Sequence, residues 1–182
     1  TSASTGTGLK KCMPITCPGR AVAARIELAR VQVARLINAP PESIVFTSGA
    51  TESINLAVLG AARAASGTAR HIVTSRIEHR AGLDACRELE REGFAVTWLA
   101  PSLEGRIDAA QVAEALRADT ALVSLMHANN ETGVLTDIDA VSALCRERGI
   151  LFHADAAQSA GKVAIDVESS GIALLSFCAH KL

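Results

Sequence analysis

The sequence lacks the charge excess, the apolar runs and the nucleotide-binding signatures that mark several classes of protein. Its 182 residues carry a net charge of −1, with 49% hydrophobic and 20% charged residues. This balance is typical of a globular domain and gives no electrostatic basis for binding nucleic acid or a membrane. Apolar runs stay far below the ~20 residues that span a bilayer, and the N-terminus lacks a secretory signal pattern. We therefore expect a cytoplasmic protein without nucleic-acid or membrane partners.

The sequence also lacks a pattern of cysteines that would indicate disulfide bonds. The five cysteines, at positions 12, 17, 86, 145 and 178, are scattered and odd in number, which argues against a disulfide framework. Cys12 and Cys17 are close together but lack a second pair of ligands, so we predict no metal site. Cys86 and Cys145 fall on amphipathic helical patterns and are predicted to be packed.

The chain divides into a short first segment and one domain. Residues 1–20 begin with a Ser/Thr/Gly-rich stretch and are predicted to be irregular. Residues 21–182 form the domain, which starts with an amphipathic helix over 21–36. After a strand-like run at 44–46, strand patterns alternate with helical ones. The strands are predicted at 72–74, 95–99, 121–126, 150–153 and 172–177, and the helices at 54–65, 81–92, 109–117 and 138–148.

Such alternation predicts an α/β fold of three layers, with a largely parallel sheet covered by helices on both faces. In open α/β sheets, ligands bind at the carboxyl ends of the strands. Polar residues follow the predicted strands here, so these residues are the candidates for a functional site.

Three of these polar clusters suggest specific chemistry, each with a structural alternative. Residues 47–53 (TSGATES) lead into a helix, and hydroxyls and free N–H groups at a helix start can hold a phosphate; the alternative is an ordinary helix cap. Asp155 can keep a pyridine nitrogen protonated, or can simply cap the next segment. Lys181 is a candidate Schiff-base nucleophile, or a solvated surface charge. The Walker and dinucleotide fingerprints are both absent.

Histidines supply a fourth type of candidate. His79 and His127 each follow a strand-like run, and histidine suits proton transfer near neutral pH and can stack on a flat cofactor. Taken singly, each is better explained by a structural role than by a catalytic one.

Together these motifs resemble, in order, those of the NifS/IscS-type cysteine desulfurases. These are class V, fold-type I enzymes that use pyridoxal 5′-phosphate (PLP). The matching segments are residues 47–53, 78–79 (EH), 127–133 (HANNETG), 153–159 (HADAAQS) and 179–182 (AHKL). The resemblance implies that residues 21–182 are the core of the PLP-binding large domain, incomplete relative to the family.

The resemblance also implies a role for each matching residue. Lys181 would form the Schiff base and move protons, and His79 would stack on the PLP ring and assist acid–base steps. Asp155 would pair with the ring nitrogen, Gln158 would bond the phenolic oxygen, and Asn130 would lie near the ring oxygen and the substrate carboxylate. The phosphate would be held by Ala50, Thr51 and His180, next to Ala179 and to Cys178, which stands where the family usually has serine. A thiol is a weaker hydrogen-bond donor than a hydroxyl.

The implied reaction converts L-cysteine to L-alanine and leaves a persulfide on the enzyme, for iron–sulfur cluster or thio-cofactor assembly. The implied partners are a sulfur-acceptor or scaffold protein and a second subunit in a homodimer. The family's sulfur-accepting cysteine follows the Schiff-base lysine and has no counterpart in the 182 residues, so we expect little activity from this chain alone. The alternatives are another class V enzyme, such as a selenocysteine lyase or an aminotransferase, or a non-catalytic binding or dimerisation module.

Overall fold

A computed structural model describes residues 17–65 and 69–182. Its helices are α1 (Cys17–Leu36), α2 (Ala50–Ala64), α3 (Arg80–Arg91), α4 (Ala109–Ala115), α5 (Ile138–Glu147) and α6 (Val167–Ser170). Its strands are β1 (His71–Ser75), β2 (Ala95–Leu99), β3 (Thr120–Met126), β4 (Leu151–Asp155) and β5 (Leu174–Ser176). Short 3₁₀ turns cover Pro41–Ser43 and Ala179–Lys181.

The five strands form one sheet in the order β2-β1-β3-β4-β5, and every neighbouring pair is parallel. Parallel neighbours need crossover connections, and helices α3, α4 and α5 supply most of them. The predicted α/β architecture with a parallel sheet is confirmed.

Helices cover both faces of this sheet, because strands β1 and β3 carry apolar side chains on both sides. On one face Ile72 and Leu122 pack with α2 and α3, through Val58 and Leu89. On the other face Val123 and Phe152 pack with α4 and α5, through Val112 and Val141. All of these side chains are at most 1% exposed, and each contributes about 1.5–3 kcal/mol of hydrophobic burial. The three layers are therefore helix, sheet and helix.

Side-chain caps fix where the covering helices begin. Asp108 and Gln111 form a reciprocal capping box at the start of α4, and Asp137 accepts a hydrogen bond from the Ala140 N–H at the start of α5. The short helix α6 was not predicted; Asp166 caps it, and Gly171, with φ of 71°, ends it.

The N-terminal region differs from the prediction in two respects. Helix α1 begins at Cys17, so the predicted boundary at residue 21 lies inside a helix, while residues 1–16 lie outside the described part. The predicted strand at 44–46 is wrong. Ile44 is extended, but Val45 and Phe46 are exposed, and among the described residues no strand pairs with this run. A run of three apolar residues becomes a strand only where a neighbour accepts its hydrogen bonds.

The predicted helix over 21–36 does form, but little of it is covered. Ala34 is buried in it, whereas Val22, Ile26 and Leu28 are 44–59% exposed. Among the described residues, no helix is long and apolar enough to cross a membrane.

Candidate active site

A cleft lies at the carboxyl edge of the sheet, where the strands end and α2 begins. It has about 310 Å³ of open space, part of it continuous with solvent. Its walls are made by Ala50, Ile54, His79, Met126, Ala128, Asn130, Asp155, Ala157, Gln158 and Lys181. Six of these ten residues belong to the site predicted from the sequence, and they come from five separate segments of the chain.

Helix α2 presents an open N-terminus to the cleft. Its N-cap, Gly49, has no side chain with which to cap the helix, and a Cβ added there would meet no atom within 4 Å. Glu52, in the first turn, accepts a hydrogen bond from the Ser48 N–H, which holds the preceding turn in place. The free N–H groups and the dipole of such a helix start favour an anion. Ala50 lines the cleft, whereas Thr51 is exposed and does not.

Asp155 ends β4 opposite Met126 of β3 and faces the cleft. The carboxyl group is 7% exposed, and its Oδ1 accepts a hydrogen bond of 2.9 Å from the Ala157 N–H. Burial raises the pKa of Asp155, while the Ala157 N–H and the positive charges of His79 and Lys181 act to lower it. His79 and Lys181 therefore lie close enough to Asp155 to act on its charge.

His79 stands between β1 and α3 and acts as the N-cap of α3. Its Nδ1 accepts a hydrogen bond of 3.2 Å from the Ala81 N–H, so a neutral ring carries its proton on Nε2. The preceding residue, Glu78, is 8% exposed and accepts a hydrogen bond from the Ser75 hydroxyl. Burial, with a smaller contribution from the charge of Asp155, raises the pKa of Glu78 to about 8, so Glu78 is mostly protonated at pH 7.

The C-terminal motif places only one of its residues in the wall. Lys181 is half-buried on the 3₁₀ turn and lines the cleft. Cys178 is buried just before this turn, with its Sγ 3.9 Å from His180 Nε2. Together with Thr51, the predicted residues Cys178, Ala179 and His180 are outside the cleft wall, and their phosphate contacts stay predictions.

The 127–133 motif is held in place by the side chain of Asn129. Asn129 donates to the Ile77 carbonyl and accepts from the Glu131 and Thr132 N–H groups, which fixes the loop that presents Asn130. His127 is buried but is not part of the cleft wall, which favours a structural role for it.

Sequence reasoning missed the apolar members of the wall. Ile54 is one turn into α2, and Met126 is the last residue of β3, so the carboxyl-edge rule could have indicated Met126. Among the described residues, no cluster of side chains is suited to a metal ion, and the predicted absence of a metal site is left as it stands.

These features define an α/β domain in which the open start of a helix, a buried carboxylate and a lysine line one cleft. The chain belongs to the class V aminotransferase family, whose model matches residues 16–182. It is similar to the cysteine desulfurase IscS of Vibrio vulnificus, with 57% identity over 157 residues, and to that of Pseudomonas aeruginosa, with 59% over 156. Each alignment covers 86% of this chain and 39% of the relative.

Comparison with solved structures indicates the same family. SspA in complex with cysteine matches with a TM-score of 0.89 and 41% identity, covering 93% of this chain and 49% of that one. DndA from Streptomyces lividans matches with a TM-score of 0.84 and 43% identity, covering 91% and 47%. The chain thus spans less than half the length of these relatives. The predicted resemblance to the NifS/IscS-type cysteine desulfurases is confirmed, and enzymes of this family use PLP.

Proposed function

We propose that this chain forms the PLP-binding core of a cysteine desulfurase, which takes sulfur from L-cysteine and leaves L-alanine. The convergence of His79, Asp155 and Lys181 on one cleft carries this proposal, because three different segments bring them together. The relative SspA was solved with cysteine, which supports L-cysteine as the substrate.

The groups around the cleft fit the chemistry of PLP. An anionic phosphate suits the open start of α2, and a basic ring nitrogen suits the buried carboxylate of Asp155. The aldehyde suits the half-buried amine of Lys181. When bound, PLP supplies an electron sink that weakens bonds at the α-carbon of an amino acid.

Each side chain then has a task that follows from its surroundings. Asp155 holds a proton on the ring nitrogen, and that positive partner offsets the cost of burying its charge. Lys181 and His79 both lie near Asp155, and they move protons to and from the substrate. Asn130 and Gln158 offer amide groups from the wall to polar atoms of the cofactor and the substrate.

The cysteines with described side chains do not suit the role of sulfur acceptor. Burial raises the pKa of the Cys86 thiol to about 12 and that of the Cys145 thiol to about 11, and both are fully buried. Cys178 is buried outside the cleft wall. Since the thiolate is the nucleophile, we propose that the cysteine that accepts the sulfur is not among the cysteines with described side chains. We propose a separate protein as the final acceptor of the sulfur. A second subunit in a homodimer is proposed on the resemblance alone.

Titration with PLP tests the cofactor site. We expect the wild-type chain to show the visible absorption of PLP joined to a lysine amine, and we expect Lys181→Ala to abolish it. Lys162 provides a matched control, because its amine donates a hydrogen bond of 3.1 Å to the Gln158 backbone carbonyl and is not part of the cleft wall. Lys162→Ala should keep the absorption.

An absorption band that survives in Lys181→Ala, or no band in the wild type, would contradict the proposal. To separate a desulfurase from other class V enzymes, L-cysteine, L-selenocysteine and another amino acid are then added to the PLP-loaded chain. A spectral change specific to L-cysteine is the expected result.

A further inference from the structure

Four buried or half-buried side chains form a continuous chain of hydrogen bonds beneath the cleft. His153 Nδ1 lies 2.9 Å from the Ser124 hydroxyl, and its Nε2 lies 3.0 Å from the Ser176 hydroxyl. The Ser53 hydroxyl in turn donates to that of Ser176 at 2.8 Å. We name this set, Ser124–His153–Ser176–Ser53, the relay. His153 is two residues before Asp155 on β4, so both side chains lie on the same face of the sheet.

The hydrogen-bond directions in the relay suit a neutral imidazole. Ser53 donates to Ser176, which leaves the Ser176 proton free to donate to His153 Nε2. Nδ1 then carries the ring proton and donates to Ser124. His153 is fully buried, and burial lowers its pKa to about 4, which agrees with a neutral ring at physiological pH.

The relay joins two parts of the proposed cofactor site that are distant in the sequence. Ser53 lies in the first turn of α2, two residues after Thr51, and Ser176 ends β5 just before the turn that carries Lys181. These two serines are 123 residues apart. Within the described residues, theirs is the one side-chain hydrogen bond that ties α2 to β5.

We propose that His153 is a positioning residue, which acts through Ser176 and Ser53 to set the first turn of α2 relative to the Lys181 turn. The neutral ring anchors Ser176 to the central strand β3 through Ser124, so the helix start cannot shift without breaking the relay. For the cofactor, this inference rests on the proposed function: the helix start holds the phosphate while Lys181 holds the aldehyde carbon.

Ser53→Ala tests the proposal at the accessible end of the relay. It removes one hydroxyl from a half-buried position and leaves the cleft wall unchanged. The matched control is Asn55→Ala on the same helix, which removes a side-chain hydrogen bond to the Thr51 carbonyl that is not part of the relay.

The first measurement needs no cofactor. Amide hydrogen exchange in residues 53–56 should become about three- to tenfold faster in Ser53→Ala than in Asn55→Ala, as expected for the loss of one neutral hydrogen bond. Equal exchange in the two variants would overturn the proposal.

The second measurement compares the affinity for PLP with that for pyridoxal, which lacks the phosphate. Ser53→Ala should weaken PLP binding about three- to tenfold and leave pyridoxal binding unchanged. His153→Gln, which keeps one hydrogen-bonding arm, should show the same selective loss, whereas a general loss of stability weakens both ligands alike. An unchanged PLP-to-pyridoxal ratio in Ser53→Ala would overturn the proposal. If the wild type bound neither ligand, the proposed function would fail, while hydrogen exchange would still decide whether the relay exists.

Discussion

The sheet buries two histidines between pairs of hydroxyl groups, one at its amino end and one in the middle of β4, and the two serve different purposes. At the amino end, His71 Nδ1 and Nε2 each lie 2.8 Å from a hydroxyl, those of Thr120 and Thr97. This network joins three neighbouring strands, and its one further hydrogen bond among the described residues comes from the Arg117 N–H, just before β3, to the Thr120 hydroxyl. In the middle of β4, His153 makes two similar contacts, but its network continues through Ser176, at the carboxyl end of β5, into α2 beside the cleft.

The distribution of carboxyl groups sharpens this contrast. Both buried carboxyl groups among the described residues, Glu78 and Asp155, lie at the carboxyl end. At the amino end, the side chain of Asp119 is 32% exposed and pairs with Arg117 at 2.9 Å. Buried acids whose pKa is raised by desolvation are costly for stability, and they concentrate at functional sites. The comparison teaches that the amino end is built for stability and the carboxyl end for binding.

The largest expected effect comes from Asp155→Asn. Loss of the charged partner of the ring nitrogen should weaken PLP binding roughly ten- to a hundredfold or more. Because burial raises the pKa of Asp155, its ionised form destabilises the folded chain as the pH rises through that pKa. Without PLP, Asp155→Asn should therefore be at least as stable as the wild type at pH 8.

Absorption titration and urea unfolding measure these two effects. Asp119→Asn, at the opposite end of the sheet, is the control and should leave PLP affinity unchanged. A similar loss of PLP affinity in both variants would remove the distinction between the two ends.

An intermediate effect is expected from His71→Leu. Its two threonine hydroxyls lose a partner, which should lower the free energy of unfolding by about 1–3 kcal/mol. PLP affinity should not change while the chain remains folded, because His71 lies at the start of β1. Urea unfolding and PLP titration on the same sample check both statements. Selective loss of PLP binding by His71→Leu would contradict the assignment of a purely stabilising role to the amino end of the sheet.

The smallest effect concerns the pH dependence of Glu78. Its folded pKa of about 8 lies above the ordinary value of 4.5, so its contribution to stability is complete below about pH 4.5 and is lost as the pH rises to 8. Between pH 7 and 8 the loss amounts to about 1 kcal/mol. The Glu78→Gln variant should not show this loss of stability between pH 7 and 8.

Free energies of unfolding at several pH values test this difference between wild type and variant. The other ionisable groups that act on this carboxyl group or respond to its charge are Asp155 and Cys86, and both remain in the variant. Parallel curves for the two proteins would show that Glu78 is already ionised at pH 7.

Most of the fold was predictable from the sequence, because the long helices and the strands of the sheet show in the local pattern of apolar residues. Strand β2 was predicted with the observed bounds, and the buried strands β1 and β3 are apolar runs bounded by polar residues. Two predictions were wrong for opposite reasons: a strand was predicted at 44–46 and does not form, and the short helix α6 forms but was not predicted. The first has an apolar pattern but no neighbour among the described residues, and the second is held by one cap and one glycine rather than by periodicity.

The candidate site was predictable only in part. The rule that ligands bind at the carboxyl ends of parallel strands brings His79, Asp155 and Lys181 to one edge, and the structure places them in one cleft. Their roles stay predictions. The relay around His153 could not be derived from the sequence, because it depends on which strands are neighbours and on the face toward which each side chain points.

The order of the strands has a consequence for how the chain reaches this structure. Every strand pairing is parallel, so each must join distant segments; His71 and Thr120, for example, are 49 residues apart. Folding that depends on such non-local contacts is slow, in the range of milliseconds to seconds, because loop closure precedes the contacts that reward it. During that time the apolar strands β1 and β3 remain uncovered, and unpaired strands of this kind associate between molecules. The yield of folded chain should therefore depend on protein concentration during refolding.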